Sequence, residues 1–187
     1  MSISAQQYTI VSGPDDVPIK MSSGPTEPEQ WEDLRNSHEE ADTIIIYHMV
    51  ESVRNCKAKS IHVKRSDTDV FVLLCHFTWA LNLNIDIFMI RLSQKTKPID
   101  ICQTVIKIQA VMPHLLSMHG ISGCDTVSKI YGIGKLTALS AIKKGHFPPP
   151  LGDPNVSHED LQKDGASFIG ACYETTSTHA TMYEHRF

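Results

Sequence analysis

The run Gly132-Ile133-Gly134-Lys135-Leu136-Thr137, which follows Gly123-Cys124-Asp125 at close range, constrains this chain more than any other stretch. Two glycines around one apolar residue let the backbone turn sharply and sit close to a neighbour. Beyond Gly134, the residues Leu136, Leu139, Ala141 and Ile142 recur near helical spacing and predict a helix. A helix N-terminus approached through glycine has free N–H groups that can hold a phosphate, and Lys135 stands beside it. Lys129, Lys135, Lys143 and Lys144 make this segment locally basic. That is the make-up of a helix–hairpin–helix that grips a nucleic-acid backbone without reading bases. A bare Gly-x-Gly is more often a plain turn between packed helices. The full run, with Asp125 ahead of it, favours the functional reading.

The preceding chain alternates. Tyr8 to Val11 reads as a short buried strand. The following residues are rich in Pro, Gly, Ser and acids, and Pro14, Pro18, Pro25 and Pro28 argue against regular structure there. A helix is expected from Ser37, with Ser37 and Glu40 as a capping box and Ile44, Ile45, His48, Met49 and Val53 as its apolar face. Strand Ser60 to Arg65, helix Val70 to Leu81 and strand Ile85 to Ile90 follow. Residues 93–98 are a polar loop; Ile101 to Ala110 and Met112 to His119 read as helices, with Pro113 at a helix start. A last helix spans Ser157 to Tyr173, with Ser157 and Asp160 at its cap. Strand, helix, strand, helix, strand is the pattern of a parallel α/β sheet, and the chain turns mostly helical from about Pro98. The expected layout is a strand and loop over 1–36, an α/β unit with the hairpin over 37–147, and a helical extension over 148–187.

At 187 residues and 41% hydrophobic content the chain suffices for one domain with a real core. The five cysteines are odd in number and scattered, which argues against a disulfide framework or a closed zinc site and for a reducing, intracellular compartment. No apolar run is long enough to cross a bilayer, so no membrane partner is expected. The net charge of −4 argues against coating nucleic acid by bulk charge, but it suits a cluster of metal-binding carboxylates.

In an open parallel sheet, ligands sit at the C-terminal ends of the strands. Asp67 and Asp69 fall there, directly after Ser60 to Arg65. Each acid has an ordinary explanation: Asp67 as a helix N-cap, Glu39, Glu40 and Asp42 as favourable charge at a helix start, Asp125 as a turn residue. Together they are an excess of hard oxygen donors of the kind that suits Mg²⁺ or Mn²⁺. A pair of such ions roughly 3.5–4 Å apart can activate water and stabilise the leaving oxygen in phosphodiester cleavage.

Three blocks resemble the flap-endonuclease branch of the PIN-like 5′ nuclease superfamily. Glu40-Ala41-Asp42 is similar to that family's Glu-x-Glu metal pair, with Asp in the second place. Asp67-Thr68-Asp69 is similar to its Asp-x-Asp pair. Gly123-Cys124-Asp125 with Gly132-Ile133-Gly134-Lys135 is similar to its Gly-Cys-Asp and helix-three-turn-helix. The phrases Ser37 to Thr43 and Leu116 to Ser128 are closer still to a group of animal proteins linked with mobile elements. The resemblance implies a three-layer PIN-like α/β fold and a two-metal Mg²⁺ or Mn²⁺ site. Asp67, Asp69 and Asp125 would be the catalytic metal ligands, and Glu40 and Asp42 would hold metal directly or through water. It implies DNA as partner, gripped by Gly132, Gly134, Lys135 and Lys129, with K⁺ at the hairpin carbonyls, and a monomer in the nucleus. The family also takes two aspartates from an N-terminal portion, and Asp15, Asp16 and Asp33 do not map onto them. The chain therefore reads as the C-terminal part of such a domain, with an incomplete sheet and half a metal site, weakly stable and inactive by itself.

Two other classes stay open. One is a nucleic-acid-binding remnant in which the hairpin works and the acids do not. The other is a nucleotide-binding domain, for which the third glycine and a preceding strand are lacking. A zinc hydrolase is disfavoured, because His38-Glu39-Glu40-Ala41-Asp42 lacks the second His of His-Glu-x-x-His.

Overall fold

A computed structural model describes residues 9–12, 19–22, 27, 29–30, 32, 35, 40–55, 58–91, 97–125 and 127–174. Among them are two small sheets and six α-helices. The first sheet is an antiparallel meander of β1 (Thr9–Ser12), β2 (Ile19–Ser22) and β3 (Glu29–Gln30). Two expectations fail here. The first strand does not join the parallel sheet, and the proline-rich stretch holds regular structure. Pro18 and Pro25 flank Ile19–Ser22 in the sequence without interrupting it, so the four residues between keep their backbone donors for the ladder.

The second sheet carries the core. β4 (Ser60–Lys64) and β5 (Asp86–Ile90) pair in parallel, with Val63 opposite Met89. β6 (Ile99–Asp100) then adds to β5 antiparallel, so the sheet is mixed rather than wholly parallel. Its two residues directly follow the expected polar loop and are too few to show any period.

Helix α1 (Ala41–Arg54) begins later than expected. Its N-cap is Glu40, which makes no side-chain capping bond, and Ser37 lies outside the described residues. Helix α2 (Thr68–Ala80) starts after a three-residue connection from β4, where the Asp67 side chain accepts the Asp69 N–H at 2.8 Å and satisfies one orphan donor of the first turn. With Val70, Leu74 and Cys75 fully buried, α2 packs against α1, against α3 (Ile101–Lys107) and against α4 (Leu115–Ile121). Between α3 and α4 the expected helices give way to a 3₁₀ stretch, Gln109–His114, with Pro113 inside it. Helix α5 (Lys135–Lys143) packs on α4 and on α6 (His158–Glu174). The α6 start matches the expected cap: Ser157 Oγ accepts the Asp160 N–H at 3.1 Å and donates to Asp160 Oδ2 at 2.6 Å.

Val70, Leu74, Ile87, Met89, Ile101, Met112, Ile133, Ala138, Ala141, Phe168 and Cys172 form one hydrophobic cluster. Each large aliphatic residue among them contributes about 1.5–3 kcal/mol through burial. Phe168 and Cys172 lie on α6, so this helix shares the core that holds Ile133 of the hairpin. Cys75, Cys102, Cys124 and Cys172 form no disulfide, and burial, with Cys102 adding to it, pushes the Cys75 thiol up to about 12.

Candidate metal centre

The C-terminal end of β4 delivers Asp67 and, in the first turn of α2, Asp69. The third acid arrives from a distant part of the sequence. After α4 the chain turns at Gly123, whose φ of +93° places it in the left-handed region; a Cβ there would lie 2.8 Å from the Lys129 Cα. Only glycine fits that approach. Cys124 and Val127 then close a short antiparallel bridge through mutual backbone hydrogen bonds of 3.1 and 3.2 Å, with Asp125 between them. The Asp125 N–H donates to Asp69 Oδ2 at 3.3 Å across 56 residues of sequence.

Carboxylate oxygens of Asp67, Asp69 and Asp125 lie within 4.8 Å of one another. They line a cavity of about 420 Å³ with Lys129 and Lys135. Oxygens on one ion of Mg²⁺ size are separated by about 3–4 Å, since each sits about 2.1 Å from the metal. An all-oxygen anionic donor set fits Mg²⁺ or Mn²⁺ and does not suit a soft, thiolate-seeking ion.

Glu40 and Asp42 are not members of this cluster. Glu40 is exposed at the α1 N-cap, and Asp42 Oδ1 pairs with the Arg65 guanidinium at 2.9 Å. Arg65 lies two residues before Asp67, so this cation stands between the two acid pairs in the sequence and answers one of them.

Sequence reasoning passed over His119. The residue is buried on α4, and its Nε2 lies 2.9 Å from Asp69 Oδ1. Burial, reinforced by the Lys135 charge and opposed by Asp69, lowers its pKa below the usual histidine value and favours the neutral ring. No local motif marks it: its partner is 50 residues away.

The hairpin is built as expected in outline and differs in detail. Gly132 has a φ of +77°, whereas Gly134 has an ordinary φ of −110° and serves as the α5 N-cap. The sharp bend therefore belongs to Gly132. Ile133 between them is fully buried and pins the turn, and the Tyr173 hydroxyl donates to the Tyr131 carbonyl at 2.8 Å. Leu136, one of the residues whose spacing predicts the helix, is 83% exposed; α5 buries Ala138, Ala141 and Ile142 instead. The Lys135 ammonium turns back to donate to the Gly123 carbonyl at 2.7 Å, which holds it at the mouth of the acidic cavity.

No described helix is long and apolar enough to cross a membrane. Set against protein-family models, curated proteins and solved structures, the chain matches none.

Proposed function

We propose that the chain carries the metal-binding face of a divalent-cation-dependent nuclease acting on the phosphodiester backbone, of the kind its three sequence blocks resemble. The supporting observation is the convergence of Asp67, Asp69 and Asp125, from segments far apart in sequence, on one cavity with Lys129 and Lys135. The three carboxylates would hold one Mg²⁺ or Mn²⁺. Such an ion lowers the pKa of a coordinated water and stabilises charge on a phosphodiester oxygen. A two-ion arrangement needs ligands beyond these three.

The lysines have the complementary task. Lys135 has two N–H donors left beyond the one given to Gly123, and Lys129 lines the same cavity. Both can meet phosphate oxygens while the anionic centre faces the scissile bond. Gly132 allows the tight turn that brings the α5 N-terminus toward a strand backbone. DNA is the substrate that this reading favours, with contacts independent of base sequence.

The test is cleavage of radiolabelled branched and linear DNA in Mn²⁺, comparing the parent chain with Asp125→Asn and with the Lys129→Ala/Lys135→Ala double variant. Metal-dependent cleavage lost in Asp125→Asn, together with DNA binding weakened alike on all sequences in the lysine variant, is the expected result. DNA binding without cleavage would favour a second reading, a non-catalytic nucleic-acid-binding module. The small size of the ligand set speaks for that alternative. A sequence-dependent loss in the lysine variant would contradict the backbone grip.

A further inference from the structure

We infer that His119 is the positioning residue of this cation site: by holding one oxygen of Asp69 it sets the orientation in which that carboxylate meets an ion. The inference rests on the metal-binding reading above and adds a residue to it.

The geometry carries it. His119 Nε2 lies 2.9 Å from Asp69 Oδ1, close enough for a strong hydrogen bond. A carboxylate can only accept, so the imidazole carries its hydrogen on Nε2 whatever the charge of the ring. His119 is only 8% exposed, on a helix that packs against both α2 and α5. It is a buried donor rather than a mobile surface side chain. The other Asp69 oxygen, Oδ2, faces the Asp125 N–H at 3.3 Å, a long contact that leaves lone-pair capacity toward the cavity. The two hydrogen bonds together set the orientation of the carboxylate and tie α4, α2 and the turn after α4 to one group.

Outer-shell donors of this kind typically change metal affinity about 10–100-fold when removed.

The experiment measures Mn²⁺ affinity by competition against a fluorescent chelator for the parent chain, His119→Leu and His119→Gln. Alongside it, two-bond ¹H–¹⁵N correlations of the metal-free parent read the imidazole tautomer without any substitution. The expected result is Mn²⁺ affinity lowered by about tenfold or more in His119→Leu, with most of it restored in His119→Gln, whose amide can donate from the same place. The parent should show the Nε2–H form. Equal losses in both variants would assign the effect to packing and overturn the proposal, as would a neutral Nδ1–H ring. Parent-like Mn²⁺ binding by a folded His119→Leu would overturn it while leaving the cation site intact. A parent chain that binds no Mn²⁺ would remove the cation site itself.

Discussion

Two helices of this protein begin with an acid, one residue, and another acid: Glu40-Ala41-Asp42 at α1 and Asp67-Thr68-Asp69 at α2. In both, the first acid is the N-cap and the second lies in the first turn, where the helix dipole favours negative charge. Their fates differ. Asp42 is answered by Arg65 and Glu40 faces solvent, while Asp67 and Asp69 meet Asp125. Nothing local separates the two pairs. What separates them is the third segment that packing brings to each: a guanidinium at one, and a glycine-dependent turn carrying another carboxylate at the other. An acidic pair becomes a candidate metal centre when the fold adds a further carboxylate to it rather than a paired guanidinium.

The comparison is broken most directly by substituting one acid from each pair. Asp69→Asn should lower Mn²⁺ affinity by more than about 100-fold, beyond the usual range for an outer-shell loss. Asp42→Asn should leave it within about twofold, since Asp42 pairs with Arg65 and is not a member of the carboxylate cluster. Calorimetric titration of both variants checks the contrast.

Next in size is the turn that distinguishes the α2 pair. Gly123→Ala must resolve a 2.8 Å clash with the Lys129 backbone and a left-handed φ, and should cost about 2–3 kcal/mol of stability. Gly145→Ala has a similar φ of +91° but nothing within 4 Å of a Cβ, so its cost should be about 1 kcal/mol. Urea denaturation of the two variants separates turn strain from the close approach that only Gly123 makes.

Smaller again is the ion pair at α1. The Arg65 side chain is 40% exposed, so Arg65→Gln should destabilise by no more than about 1 kcal/mol, and the effect should shrink in high salt. A larger and salt-insensitive loss would mean that Arg65 does more than answer Asp42.

A pH effect, given as a direction only, completes the series. Burial lowers the pKa of His48 on α1 and of His76 on α2, away from the acidic cluster. A base with a depressed folded pKa is charged in the unfolded chain before it is charged in the folded one. The stability it contributes is present above the unfolded value of about 6.5 and is lost as pH falls below it toward the folded pKa. Thermal melts should therefore show stability declining on acidification below about pH 6.5, and a flat profile in the double variant His48→Gln/His76→Gln would assign the decline to these rings.

Much of the site was legible because its signals are local. Asp67-Thr68-Asp69 directly after an apolar run, and Gly123-Cys124-Asp125 ahead of a Gly-x-Gly turn, can be read without knowing the fold. Strands β4 and β5 and helix α2 were legible for the same reason, as apolar runs between turn residues. What escaped depends on distance or on brevity. His119 and Arg65 owe their places to partners 50 and 23 residues away. β6 has two residues, and β2 is set among prolines that masked it. Leu136 fits the helical spacing but falls on the solvent side, because Ile133 rather than α5's first turn supplies the buried anchor.

The central claim is that Asp67, Asp69 and Asp125 form one cation site. Calorimetric titration of Mn²⁺ into the parent chain, beside the Asp67→Ala/Asp125→Ala double variant, tests it. The account predicts saturable binding near one ion per chain in the parent and none in a folded double variant. Equal heats in the two, or no binding by the folded parent, would contradict it and leave the three acids as a helix cap, a first-turn charge and a turn residue.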